Sequence, residues 1–167
     1  MSELTNELIS TKLQDKFGAG IFASEETYGL LTITADKNLN LEILTFLRDE
    51  YELQFKFLTD ICGIHFPDSE LALGVIYHVH SLTKGKRIRL KFFFELSAPY
   101  IRTATGLYPS ANWMERETYD FFGIIFEGHP DLRRILNMDE MEAFPMRKEF
   151  PLTDPNRTDK KDEFFGR

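Results

Sequence analysis

Cysteine is almost missing from this chain. Among 167 residues there is one, Cys62, which excludes an intrachain disulfide and any cluster held by several thiolates. Long apolar runs are missing too: the longest uncharged apolar-rich stretch, Leu71 to Thr83, falls well short of the roughly 20 residues a membrane-spanning helix needs. The opening "MSELTNELISTKLQDKFGAG" is polar and mixed in charge, without the apolar centre of a signal peptide. Positive charge is in deficit. Lys and Arg number 20 against 27 Asp and Glu, a net charge of -7, so nucleic acid and anionic membrane surfaces are poor candidates for the main ligand. No G-x-x-x-x-G-K-[ST] or G-x-G-x-x-G loop is present to cradle a phosphate. These absences lead us to expect a soluble protein of a reducing compartment, and none of them forbids a seat on a membrane complex through a partner.

What the chain does contain is apolar and aromatic. Hydrophobic residues make up 43% and aromatics 14%, with sixteen Phe, enough for one domain with a sizeable core. Ile9, Leu13 and Phe17 recur every four residues and predict an amphipathic helix stopped by Gly18 and Gly20. "YGLLTITAD" reads as a strand bounded by a turn, and Asn38 or Asn40 could cap a second helix carrying Ile43, Leu44 and Leu47 on one face. "YELQFKFLTD" alternates, with Tyr51, Leu53, Phe55 and Phe57 on one side, as a half-buried strand does. Leu71, Leu73, Val75, Tyr77 and Val79 share a face, as do Ile88, Leu90, Phe92, Phe94 and Leu96 after a short Lys-Gly-Lys loop; together they predict an antiparallel hairpin. The expected class is α+β: a small, mainly antiparallel or mixed sheet covered on one face by helices, with an extended C-terminal arm.

Beyond "SAPYIRTATGLYPS" the pattern changes. Asn112 with Glu115 three residues on suggests a capping box opening a helix that ends at Gly123. Pro130, Pro145 and Pro151 then break any sustained period. We expect one domain over 1–152 and a charged tail over 153–167; "DPNRTDKKDEFFGR" holds eight charged residues in fourteen.

Several constellations invite chemistry, each with a plainer alternative. Glu115, Glu117 and Asp120 suggest acid/base work, but on a helix Glu115 points about 160° away from Glu117. Arg116 lies four residues before Asp120, and Arg133 and Arg134 follow, so an ion-pair network explains the same residues. His78 and His80 leave one face of a strand and could begin a metal site, yet no further ligand stands at a recognisable spacing. Cys62, inside "DICGIHF", reads as a buried inert thiol. The basic run "KGKRIRLK" lies within the hairpin and is a weak nucleic-acid signal in an acidic chain. What remains is an excess of apolar side chains in "FFGIIFEGHP", "AFPMRKEFPL" and the final "FFG", on backbone rich in Pro and charge. Segments that bury aromatics and arginines against another subunit account for this, and favour an interaction subunit over an enzyme.

At this point the residues resemble a known family. Glu115-Arg116-Glu117, Asp120, Phe121-Phe122, His129 and Arg133, followed by Ile135-Leu136, match the signature of the 30 kDa subunit family of the proton-pumping NADH-quinone oxidoreductase, respiratory complex I. "FLTDICGIHFP", "HSLTKGKRIRLK", "YPSANWMERE" and "PMRKEFPL" resemble family segments in the same order, so the likeness spans roughly Leu41 to Leu152. Two departures stand out: Ala143-Phe144 where the family usually has Gly-His, and His65 where it often has Asp.

The resemblance implies a non-catalytic subunit of the quinone module in the peripheral arm, on the cytoplasmic face of a bacterial inner membrane. Its partners would be the subunit forming much of the quinone cavity and the subunit holding the terminal iron-sulfur cluster. Flavin and iron-sulfur clusters would belong to partner subunits, with no cofactor or metal in this chain. The implied interface and structural motif comprises Trp113, Glu115, Arg116, Glu117, Asp120, Phe121, Phe122 and Gly123, then His129, Pro130, Asp131, Arg133 and Arg134, with Arg147 and Lys148 downstream. Within it, Glu115, Glu117 and Asp120 would pair with Arg133, Arg134 or partner residues, Trp113, Phe121 and Phe122 would fill apolar contacts, and the tail would order on a neighbour. A related subunit of a ferredoxin-dependent or hydrogenase-type membrane complex is a second reading; a stand-alone metal enzyme using His78, His80 and a carboxylate is a third.

Overall fold

The structure is a computed structural model and describes residues 4–150. The expected tail over 153–167 and the boundary before it lie outside the described residues. Helix α1, Asn6–Phe17, starts where the Thr5 hydroxyl accepts from the Leu8 amide, and it stops at Gly18, which takes a positive φ of 49°. Ile9 and Leu13 are fully buried on its inner face. The chain then forms β1, Ile21–Thr27, and β2, Leu30–Ala35, an antiparallel hairpin. Its two-residue turn places Tyr28 and Gly29 at φ 53° and 76°, the left-handed pair that matches strand twist. Strand β1 does not show in the sequence pattern because it is an edge strand with mostly exposed polar side chains and no apolar alternation.

Helix α2, Asn40–Asp49, buries Ile43, Leu44 and Leu47 as the spacing predicts, but neither asparagine caps it. Asp36 instead accepts from the Asn38 amide and opens a 3₁₀ turn, Lys37–Leu39, that leads into the helix. Asn40 is buried in the first turn and donates to the Arg102 carbonyl at 2.7 Å. The strand expected from Tyr51 begins later. After α2 the Glu50 carbonyl accepts from the amides of Leu53 and Gln54, and Gln54 takes φ 53°, so residues 51–53 form a turn and 54–56 follow without regular structure. Leu53 and Phe55 are buried, whereas Tyr51 and Phe57 are exposed, which breaks the single apolar face that the alternation suggests.

Strand β3, Phe57–His65, pairs antiparallel with β4, Leu73–Ser81, and β4 pairs antiparallel with β5, Lys86–Phe94. The β4–β5 register sets Leu73, Val75, Tyr77 and Val79 opposite Phe94, Phe92, Leu90 and Ile88, all buried on one face as expected. Leu71 and Leu96 fall outside the strands and are exposed. Strand β2 runs parallel to β5, giving the order β1-β2-β5-β4-β3, so the sheet is mixed. Helices α1 and α2 supply one side of the core. A second, two-stranded parallel sheet joins β6, Tyr100–Arg102, to β7, Ile125–Glu127. Between them runs α3, Ala111–Phe122, which packs alongside β3: Thr118 faces the Ile61 carbonyl and the Phe122 ring lies against Gly63. The α+β class and the helix-covered sheet are as the sequence indicates.

The shifted strand start can be tested directly. Phe55→Ala should destabilise the chain by about 3–5 kcal/mol, the usual cost of emptying a buried aromatic site, while Phe57→Ala should cost under about 1 kcal/mol. Urea denaturation of both variants checks this; equal large losses would restore the uninterrupted strand over 51–60.

Candidate docking surface on α3 and the arm that follows it

Helix α3 opens without a side-chain cap. Ser110 precedes it, and Asn112 and Glu115 both lie inside it, so the capping box suggested by the sequence does not form. It ends as expected at Gly123, which takes φ 70°. A Cβ there would also fall 2.5 Å from the Phe144 ring, so the position needs both glycine's backbone freedom and its missing side chain.

The three carboxylates of α3 have different fates. Glu115 is fully buried but meets no arginine among the described residues. It accepts from the Ala104 amide at 2.7 Å and from the Thr103 hydroxyl. Burial pushes its carboxyl up to about 7, and these two hydrogen bonds only partly offset that. Glu117 is exposed, so it does not share a common environment with Asp120 despite their spacing. Asp120 has no exposed side-chain surface and pairs with Arg134 at 2.7 Å rather than with Arg116.

Asp120 is the centre of the arrangement. Its Oδ2 accepts from the backbone amides of Ile135, Leu136 and Asn137 at 3.1, 2.8 and 2.9 Å. Its Oδ1 accepts from Arg134 and from the Asn137 side chain at 2.7 and 3.0 Å. Burial pushes the carboxyl up, but the amides of Asn137 and Leu136 together with Arg134 and the Asn137 side chain outweigh it and hold the group well below the usual carboxylate range.

Arg134 carries the connection onward. Beyond Asp120 it donates to the carbonyls of Met141 and Ala143, and its guanidinium lies 5.2 Å from the centre of the Phe144 ring. Phe144 is also met by Arg147 at 4.7 Å and edge-on by Tyr119. Thus one of the two departures noted in the sequence is filled by an aromatic ring held by two arginines. Arg147 donates to the Phe122 carbonyl at 2.7 Å, tying the arm to the end of α3. The other departure, His65, is buried and accepts from the Lys148 amide at 3.0 Å through Nδ1, so it too anchors the arm.

Arg116 is mostly buried, stacks 5.3 Å from the Trp113 ring and donates to the carbonyls of Arg133 and Arg134. His129 accepts from the Asp131 amide through Nδ1, which leaves the hydrogen on Nε2 and makes it the donor to the Asn112 carbonyl at 3.1 Å. Arg133 pairs with Asp131 at the surface, and Pro130 is exposed. Phe121 and Phe122 are half-buried beside Gly63 and Cys62, lining a cavity of 320 Å³ with Glu117 and Met146. Cys62 is half-buried in that cavity rather than sealed in the core, and burial pushes its thiol up, away from the reactive thiolate.

The surface left on this side is apolar. Trp113, Leu136, Met138, Met146 and Phe150 are between 41% and 74% exposed. Their backbone is nonetheless held: Trp113 lies in α3, the Leu136 amide is bound to Asp120, the Met138 carbonyl accepts from the Met141 amide, and the amides of Met146 and Phe150 donate to the carbonyls of Phe121 and Arg147. Such residues in a fixed frame suit a partner protein. His78 and His80 stand elsewhere, on the far face of the sheet, and no group of three potential metal ligands occurs among the described residues. Thr103, Asn137 and Phe144 hold the site together but carry no motif of their own. Only the buried partner each one meets identifies it, and sequence spacing does not show that.

The chain matches the model of a family described as "Respiratory-chain NADH dehydrogenase, 30 Kd subunit" over residues 33–156. It is 47% identical over 153 residues to the C 1 subunit of NADH-quinone oxidoreductase from Rhizobium etli (strain CIAT 652), covering 92% of this chain and 76% of that protein. The protein of the same name from Rhizobium meliloti (strain 1021) is 44% identical, over 92% of this chain and 75% of its own length. Among solved structures, the trypsin-resistant fragment (1–134) of Nqo5 superposes with a TM-score of 0.64 at 31% identity, over 74% of this chain and 98% of the fragment. A chain of an archaeal respiratory complex, the membrane-bound sulfane sulfur reductase, shares the fold with a TM-score of 0.73 at 22% identity, over 87% of this chain and 85% of that one.

Two variants separate the roles of the buried carboxylates. Asp120→Ala leaves Arg134 buried without its partner and should cost about 3–5 kcal/mol in urea denaturation. Glu115 has the opposite linkage. Because its folded pKa is raised from the ordinary 4.5 to about 7, its contribution is full below 4.5 and is lost as pH rises toward 7, on the order of 3 kcal/mol in all. Glu115→Gln keeps the shape and removes the titration, so its stability should fall less between pH 4.5 and 7 than that of the unaltered chain. Parallel curves for the two proteins would show that Glu115 does not titrate in this range.

Proposed function

The chain belongs to the family of the 30 kDa subunit of respiratory-chain NADH dehydrogenase, and from that premise we propose that it is a non-catalytic docking subunit of the peripheral arm. As a complex I subunit it has other subunits as neighbours. In our reading these are the subunit that forms much of the quinone cavity and the subunit that holds the terminal iron-sulfur cluster. Flavin and clusters reside in partners, and the chain sits at the cytoplasmic face of the bacterial membrane, reaching the bilayer only through the complex. No helix among the described residues is long and apolar enough to cross a membrane, which is consistent with that placement.

The observation that carries the reading is the frame built on Asp120. It spends a fully buried carboxylate on fixing residues 134–137, while Leu136 and Met138 in and beside that segment remain exposed. A catalytic acid or base must release or take up a proton and reach a reactant. Asp120 is saturated with donors and sealed from solvent, so it does neither. A preorganised apolar surface lowers the ordering cost of association, which is what a docking subunit requires. The tail over 153–167 would extend this contact along a neighbour.

Arg133→Glu tests the reading without touching the core. Arg133 is exposed and its side chain pairs with Asp131 at the surface, so the urea midpoint of the isolated chain should be unchanged, while recovery of the assembled enzyme from detergent-solubilised membranes should drop severalfold. Full recovery of the enzyme with lost NADH-quinone turnover would instead assign this surface a direct role in catalysis.

A further inference from the structure

The far face of the five-stranded sheet carries no helical layer among the described residues, and it meets the α3 side at the β3 edge, where Asp60 and Cys62 line the cavity beside Phe121 and Phe122. The register aligns Asp60, His78 and Arg89 in one row across β3, β4 and β5, and Cys62, Ile76 and Lys91 in the next. Arg87 continues the line on β5 beside His80. These side chains are half-exposed or exposed, whereas the residues alternating with them on β4 and β5 are buried.

Three features of this face go together. Arg87, Arg89 and Lys91 lie within salt-bridge distance of no carboxylate among the described residues, although the chain carries 27 acids against 20 Lys and Arg. Arg89 is also held in place: its Nε donates to His78 Nε2 at 3.0 Å. That bond fixes the hydrogen of His78 on Nδ1, a buried donor with no hydrogen-bond partner among the described residues, 3.8 Å from Asp60. Further along the same face, Gly74 leaves room for the Phe93 ring, which a Cβ would meet at 2.6 Å. Phe93 and Phe66, with ring centres 6.1 Å apart, then line an open groove of 420 Å³ with Leu71.

We propose that this sheet face is a second docking surface, which takes an acidic segment of a neighbouring protein in the assembly, one that also bears an apolar anchor. The carboxylates meet Arg87, Arg89 and Lys91, and the anchor enters the groove at Phe66 and Phe93. Alternate residues of a strand stand roughly 7 Å apart, so the three cations span about 14 Å, the reach of a short segment and not of a long polyanion. The exposed Glu25, in line with Arg89 through Thr32, and Glu70 at the groove oppose nucleic acid or an anionic bilayer lying across the whole face. The inference rests on the reading of the chain as a subunit, and the experiment separates the two.

A photoreactive benzophenone amino acid is placed at Ile76 on the sheet face and, in a separate protein, at Leu136 on the arm. Each is expressed in its native cells, the assembled complex is purified and irradiated, and the cross-linked peptides are sequenced by mass spectrometry. Ile76 should join a peptide of another subunit with at least two Asp or Glu near the attachment point. Combining it with Arg89→Glu and Lys91→Glu should lower that yield about tenfold and leave the Leu136 cross-link intact. Arg89→Gln with Lys91→Gln, a milder pair suited to keeping the sheet folded, should lower it about threefold. A cross-link at Leu136 with none at Ile76, or with only lipid, nucleic acid or a peptide lacking acids there, overturns this inference and leaves the proposed function standing. Silence at both positions overturns both.

Discussion

The carboxylate of Asp120 is the constraint on which the rest of this molecule's functional side depends. Residues 128–150 have almost no regular structure and hold little of the core. Such a segment ordinarily costs about 1–2 kcal/mol of backbone entropy per ordered residue, with little burial to offset it. Asp120 supplies the compensation. One buried group accepts three consecutive backbone amides, an asparagine side chain and an arginine, and that arginine then satisfies carbonyls further along the arm. Hydrogen bonds to a charged acceptor are about twice as strong as neutral ones, and here they are also shielded from water. The charge that would be costly to bury alone is instead spread over five donors.

From that centre the geometry follows outward. Helix α3 is pinned to β3 through Thr118 and Phe122, so Asp120 sits at a fixed height above the sheet. The arm wraps the end of α3 and returns to the sheet at His65, after closing around Phe144, Arg134 and Arg147. The arm therefore presents Leu136, Met138, Met146 and Phe150 in a fixed frame, while the opposite sheet face presents Arg87, Arg89 and Lys91. On the proposals above, a small domain with two different faces of this kind joins two neighbours.

Much of this is legible in the sequence where one physical rule acts alone. The β4–β5 hairpin is plain because alternation and a short turn agree, and α1 is plain because its apolar spacing ends at a glycine. The signature around Glu115 and Asp120 is visible as a family likeness, and its acid at 120 now has a physical reason. Other parts are not legible because a tertiary contact overrides the local signal. Asn112 and Glu115 have the spacing of a capping box, yet Glu115 is taken by Thr103 and Ala104, from the segment after β6. Arg116 stands four residues before Asp120, but the arm's own carbonyls claim it, and Asp120 pairs fourteen residues away with Arg134. Strand β1 shows no alternation because it is an edge strand whose side chains meet α1 through polar contacts, Asn6 with Glu26 and Ser10 with Ser24, rather than through an apolar face.

The central claim is that Asp120 preorders the arm before any partner arrives. Amide hydrogen exchange of the isolated chain, resolved residue by residue by NMR, tests it most directly. The account predicts that the amides of Ile135, Leu136 and Asn137 are protected to a degree comparable with the end of α3, in a segment that has no helix or strand. Exchange of those three amides at the rate of an unstructured peptide would contradict it, and would mean that the arm takes its shape only within the assembled complex.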